Sequence, residues 1–160
     1  YLNTLKSMNT EQMGDYLGIE SLLNTSDSDK NSIASALVEQ VHQNFDFKIT
    51  SCEEQGYTAT ISTEITTFDS SAILNTFSEE QDAYLSSANA VIDGSEKRYL
   101  KTLEMLLNDI ENNTATITST ADFHLTNDGV SWKLDDSNTT IGNAIFGTLS
   151  NSPVSEETAE

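Results

Sequence analysis

Phe45-Asp46-Phe47-Lys48-Ile49-Thr50 and, beyond Glu54-Gln55-Gly56, the run Tyr57-Thr58-Ala59-Thr60-Ile61-Ser62-Thr63-Glu64-Ile65 decide the fold. In the first run Phe45, Phe47 and Ile49 alternate with Asp46, Lys48 and Thr50. In the second, Tyr57, Ala59, Ile61, Thr63 and Ile65 alternate with Thr58, Thr60, Ser62 and Glu64. A period of two sends the two sets to opposite faces of an extended chain. The density of Thr and Ile points the same way, because β-branched side chains are restricted in helices and pack well on a pleated surface. Two such runs joined at a glycine turn predict an antiparallel hairpin.

The same period returns near the other end of the chain. Ala115, Ile117, Ala121, Phe123 and Leu125 alternate with Thr116, Thr118, Thr120, Asp122 and His124, and Asn127-Asp128-Gly129 follows as a turn whose residues tolerate positive φ. Val130, Trp132 and Leu134 then share one face of a fourth strand. Around these hairpins the spacing is helical. Leu2, Leu5, Met8, Met13 and Tyr16-Leu17 predict a first helix ended by Gly18, and Asn24 to Asn31 reads as a loop. Ile33, Leu37, Val41 and Phe45, with Ala34 and Val38 beside them, predict a second helix.

Asp69-Ser70-Ser71 offers N-cap oxygens to a long helical stretch carrying Leu74, Phe77, Tyr84, Leu85, Ala88 and Val91. Asp93-Gly94-Ser95 interrupts it, and a further helix carries Tyr99, Leu103, Leu106, Leu107 and Ile110. Ile141, Ala144, Ile145 and Leu149 predict a short closing helix. Strands joined in antiparallel pairs, with the helices grouped before and between them, give an α+β class: helices packed on a curved four-stranded antiparallel sheet. The expected organisation is a single domain over residues 1–149 and a polar, acidic tail over 150–160.

A chain of 160 residues buries roughly 70% of its unfolded surface and needs no disulfide staple. Its lone cysteine, Cys52, cannot form an internal bridge, and Ser51, Glu53 and Glu54 beside it disfavour a reactive thiolate. Seven Lys and Arg against 26 Asp and Glu give a net charge of -19, which repels a phosphate backbone and argues against nucleic acid as a partner. Three of the bases, Lys97, Arg98 and Lys101, fall on one helix, where pairing with nearby acids explains them better than an anion site. The chain begins at Tyr1 rather than Met, so a removed leader, with any lipid anchor, is expected upstream.

No sequence pattern calls for a cofactor or assembles a metal ligand set. Asp27-Ser28-Asp29-Lys30-Asn31 begins like a calcium loop, but Ser32 stands at the glycine position and Val38 at the bidentate-glutamate position. Helix capping by Ser28 or Asp29 is the better account. Asp135-Asp136-Ser137-Asn138 reads as an acidic turn with hard-cation character. Of the two histidines, His42 flanks the apolar stripe of the second helix. His124 shares a strand face with Asp122, an acid–base pair if that face opened into a cavity.

The run Thr114 to Asp135, ending Asn127-Asp128-Gly129-Val130-Ser131-Trp132-Lys133-Leu134-Asp135, resembles the closing hairpin of small bacterial lipoproteins of unknown function with a cystatin-like, nuclear-transport-factor-like fold. The central helices and the Ile141 to Leu149 segment are similar too, so the resemblance spans residues 1–149. It implies a sheet curved against helices into a cone with a pocket, in a protein tethered outside the membrane of a Gram-positive bacterium. The lipid-modified cysteine would lie in the leader, the anchor being the sole tie to a membrane. The functional expectation is a non-catalytic extracytoplasmic module binding a small molecule, a peptide or a cell-envelope component, with Tyr57, Phe68, Tyr84, Tyr99 and Trp132 as candidate pocket aromatics. The alternative is a small-pocket isomerase or hydrolase using Asp122 and His124, since the wider fold includes enzymes that transfer protons in such a pocket. Fold alone does not choose between them.

Overall fold

The computed structural model of the protein describes residues 1–16, 28–135 and 137–146. The first hairpin pairs β1 (Asp46–Gln55) with β2 (Thr58–Phe68), and the second pairs β3 (Thr116–Asn127) with β4 (Trp132–Leu134). β2 and β3 join antiparallel over eleven residue pairs, from Thr58↔Thr126 to Phe68↔Thr116, giving one sheet in the order β1-β2-β3-β4. Gly56 opens the two-residue turn with φ 65°, a conformation glycine adopts without Cβ strain. β1 runs further than the sequence period shows, because its register shifts between Ile49 and Ser51. Alternation breaks there, and Cys52 joins the face of Ile49.

One face of the sheet is covered. Ala59, Thr63, Ile65 and Thr67 of β2 and Ala121 and Phe123 of β3 are buried on it. The other face carries Thr60, Ser62, Glu64 and Thr66 opposite His124, Asp122, Thr120 and Thr118. The covering helices are α3 (Ser28–Asn44), packed on β2, and α7 (Ser137–Phe146), packed on β2 and β3. Val38 and Val41 of α3 and Ile141 and Ile145 of α7 are almost wholly buried. Each buried side chain of this size contributes about 1.5–3 kcal/mol. Outside this layer α4 (Ser70–Leu85), the short α5 (Ala88–Ile92) and α6 (Ser95–Glu111) form a hairpin, with α6 packed on α3 and α4. Phe68, Ile73 and Ile110 belong to the same core. This is an α+β architecture: among the described residues, seven helices against a four-stranded antiparallel sheet that does not close into a barrel.

Helix boundaries correct the sequence reading in three places. The first predicted helix is two, α1 (Leu2–Ser7) and α2 (Thr10–Tyr16), with Met8 extended between them. Asn9 causes the restart: its Oδ1 accepts from the Gln12 N–H at 2.8 Å while the Gln12 Oε1 accepts from the Asn9 N–H at 3.1 Å. Two orphan helix-start donors are thereby satisfied reciprocally. Residues 28–31, expected in a loop, form the first turn of α3, where Asp29 favours the positive end of the helix dipole. The helix predicted through Val91 stops at Leu85, because Ser87 caps a new one by accepting from the Ala90 N–H. Val91 and Ile92 are left exposed. Val130 likewise belongs to the turn, not the strand: Asp128 Oδ1 accepts from the Val130 and Ser131 N–H groups. Gly18, Leu149 and the tail 150–160 lie outside the described residues.

Candidate functional site

The helices leave uncovered the part of the inner sheet face nearest the hairpin ends. There Phe47 and Ile49 of β1, Ile61 and Thr63 of β2, Phe123 and Leu125 of β3, and Trp132 and Leu134 of β4 line a cleft of about 290 Å³. The start of α1, from its N-cap Tyr1 to Asn3, forms one wall, the Tyr1 ring meeting Phe123 edge-on at 6.4 Å. Strand register makes the surface continuous, since Ile49 pairs with Thr63, Ile61 with Phe123 and Leu125 with Leu134. Ile49 is 55% exposed and Trp132 38%, so apolar surface stands open to water at the mouth. Apart from Tyr1 no side chain lining the cleft titrates. At its floor Thr63 Oγ1 is buried without a hydrogen-bond partner.

Of the five aromatics singled out from the sequence, Trp132 is the one that lines this cleft. Tyr57 sits at the tip of the first hairpin, 72% exposed, because the turn takes Gly56 and Tyr57 together. Phe68 is fully buried in the core against Phe146. Tyr84 donates to Asp93 Oδ2 at 2.8 Å between α4 and α6, and Tyr99 is exposed on α6. The structure does not bring the five together. The partners of Trp132 are aliphatic residues and Phe123, which the alternation of β1–β4 places on one face but does not separate from ordinary core.

Asp122 and His124 stand side by side on the outer, exposed face of β3. The Ser62 hydroxyl donates to Asp122 Oδ1 at 2.6 Å, and Thr60 Oγ1 lies 3.2 Å from His124 Nδ1. Neither residue lines any cleft described for the protein, and the sheet separates both from the apolar one. His42 is exposed on α3. Cys52 is exposed on the edge strand, where no helix covers the inner face.

The basic residues of α6 are engaged: Lys97 pairs with Asp93, Lys101 with Glu104, and Arg98 donates to the Ala90 carbonyl. The Lys97 and Tyr84 hydrogen bonds hold the Asp93 carboxyl below the usual range. In the second turn Lys133 and two backbone N–H groups bring Asp128 down to about 2. Asp135 accepts from Thr126 at 2.8 Å. Asp136 and the side chains of its neighbours at 137 and 138 lie outside the described residues.

A second, polar cleft of about 290 Å³ opens between α4 and the end of α6, lined among others by Thr76, Asp109, Asn112 and Thr114. Burial, and next the negative charge of Glu80, push the Asp109 carboxyl up. The sequence gives no sign of it, because Asp109 reads as a polar residue beside Ile110. Among the described residues no three His, Cys, Asp or Glu side chains gather as a metal cluster, and no helix is long and apolar enough to cross a membrane.

Sheet, covering helices and an uncharged cleft define a small α+β domain with a concave apolar site. No protein-family model matches the chain, and no curated protein matches it by sequence. Its fold is similar to the crystal structure of "a putative lipoprotein (ycdA)" from Bacillus subtilis, with 14% sequence identity and a TM-score of 0.52. The match covers 89% of this chain and 45% of that one, so the chain spans under half of that protein's length. At this identity the likeness establishes the fold.

Proposed function

We propose that the protein is a non-catalytic, extracytoplasmic binding module of a bacterial surface lipoprotein, and that it takes an uncharged apolar group into the cleft between Tyr1 and Trp132. The observation that carries this reading is the lining itself. It is mostly apolar side chains, with Tyr1, Asn3 and the buried Thr63 hydroxyl among them, and it holds no carboxylate, imidazole or amine side chain. Binding sites of this kind are concave and mostly apolar, with a few polar groups that fix orientation. The fold shared with a lipoprotein supports the surface location, and the curved-cone reading of the sheet belongs with it.

Trp132 is the chain's one tryptophan, so its emission reports the cleft without interference. Titration with 1-octanol as probe gives a saturable blue shift in the parent protein. In Ile49→Asp, altered at a lining position that is 55% exposed, the shift is lost. A linear, unsaturable change, or the same curve in both proteins, rejects the site. Incorporation of labelled palmitate into the full-length protein in its own host tests the anchor separately.

A further inference from the structure

We propose that the free edge of β1 pairs antiparallel with the same edge of a second copy of this chain, giving a two-fold dimer whose sheet runs through both copies. β1 is the outermost strand of the sheet, so among the described residues one side of its backbone has no ladder partner. It is a long edge, ten residues against three for β4 on the other side. An exposed row of N–H and C=O groups templates another strand, and proteins blunt such edges with short length, a lysine or a bulge. β1 carries one lysine, Lys48, and one irregularity, after Ile49. A second copy complements both.

The two faces of β1 fix the register. Asp46, Lys48, Glu53 and Gln55 lie on the outer face, opposite Thr66, Glu64, Thr60 and Thr58 of β2. Phe47, Ile49, Cys52 and Glu54 lie on the inner face, opposite Ile65, Thr63, Ile61 and Ala59. Residues directly across an antiparallel ladder share a face. A two-fold axis perpendicular to the sheet, passing between Thr50 and Ser51, satisfies this for each of these pairs. Lys48 then faces Glu53 of the second copy, Ile49 its Cys52, Phe47 its Glu54 and Asp46 its Gln55. The irregularity between Ile49 and Ser51 falls on the axis, so both strands carry their extra residue at the same place and the ladder stays in step. No like charges oppose, and the Lys48–Glu53 pair occurs twice. Both residues are available to it, the Lys48 side chain being 76% exposed and Glu53 exposed. A slide of one residue sets inner side chains against outer ones, and a slide of two opposes Asp46 to Glu53 or Ile49 to Glu54. The chosen register also lays Cys52 of the second copy beside Ile49, which lines the apolar cleft at 55% exposure, so each copy extends the cleft of the other.

Sedimentation equilibrium on the parent protein, Glu53→Lys, Lys48→Glu and the double exchange Lys48→Glu/Glu53→Lys measures the association. The parent is expected to approach twice the monomer mass as concentration rises. Each single reversal sets like charges opposite one another at two places and weakens the dimer roughly tenfold, and the double exchange restores most of the loss. A net charge of -19 repels a second copy diffusely, and Glu53→Lys makes the chain less negative. Relief of that repulsion alone tightens association, so the sign of the Glu53→Lys effect isolates the local pair. Ile49→Cys reads the register: oxidation with diamide links its new thiol to Cys52 of the second copy. Within one copy the two positions are about 10 Å apart along the strand, beyond the reach of a disulfide. Thr120→Cys, on the exposed outer face of β3, reports chance collision. A parent that stays monomeric, a tighter dimer in Glu53→Lys, or equal cross-linking of Ile49→Cys and Thr120→Cys overturns the proposal. If Ile49→Cys fails to fold, the charge exchange decides.

Discussion

Asp109→Asn in divalent-free buffer is expected to stabilise the protein at neutral pH, against the usual result of changing a buried residue. The parent carries a carboxylate that is 8% exposed, with one oxygen unpartnered and Glu80 nearby. A buried group left unsatisfied costs about 1–3 kcal/mol, more when charged. Asparagine keeps the shape and removes the charge but retains an unpaired polar atom, so the net gain is about 1 kcal/mol, or roughly 2–4 °C in Tm. The folded-state pKa lies above the unfolded value, so the folded form takes up its proton first as pH falls. The penalty in the parent is complete above the folded pKa, shrinks as pH drops through it, and vanishes below the unfolded value near ~3.9. Urea unfolding of both proteins from pH 8 to pH 3 reads the difference directly. A variant less stable than the parent at pH 7, or an advantage that does not fade in acid, refutes the reasoning.

Three further outcomes follow from the packing and the turns. Phe68→Ala, which empties a fully buried site at the end of β2, lowers stability by about 3–5 kcal/mol in urea unfolding. Asp128→Ala destabilises the second hairpin at neutral pH. Because the Asp128 carboxyl sits at about 2, its contribution is present above the usual Asp range and lost as pH falls through about 2, where the unfolding curves of variant and parent converge. Asp122→Asn and His124→Ala, changes on the outer sheet face, leave the Trp132 emission titration with 1-octanol unmoved; a shifted midpoint in either ties that face to the cleft.

Strand pairing was legible because period two is a strong local signal and Gly56 and Gly129 mark the turns. Ile33 to Val41 and Tyr99 to Ile110 read correctly as helices for the parallel reason, a repeated apolar step of three or four, while Phe45 lies just past the helix end at Asn44. The misreadings occurred where short polar side chains override periodicity. Asn9 and Ser87 restart helices that the apolar spacing carries straight through, and Asp128 folds Val130 into a turn despite its alternation with Ser131. The register shift after Ile49 is invisible in a pattern already polar by Ser51. Trp132 was recognisable as a pocket residue by its type, but its neighbours were not. Phe47, Ile61 and Leu134 differ from core residues solely in what the helices fail to cover, which is a tertiary fact. Asp109 was hidden more completely, since burial of its carboxylate depends on how α4 lies against α6.

Methyl-resolved NMR of the parent protein titrated with 1-octanol tests the binding site most directly. The account predicts saturable shifts at Ile49, Ile61, Leu125 and Leu134 that share one dissociation constant with the Trp132 emission, while Leu100, Leu103 and Leu107 on α6 stay still. Shifts centred on the α6 leucines, or spread without saturation over the whole molecule, contradict it.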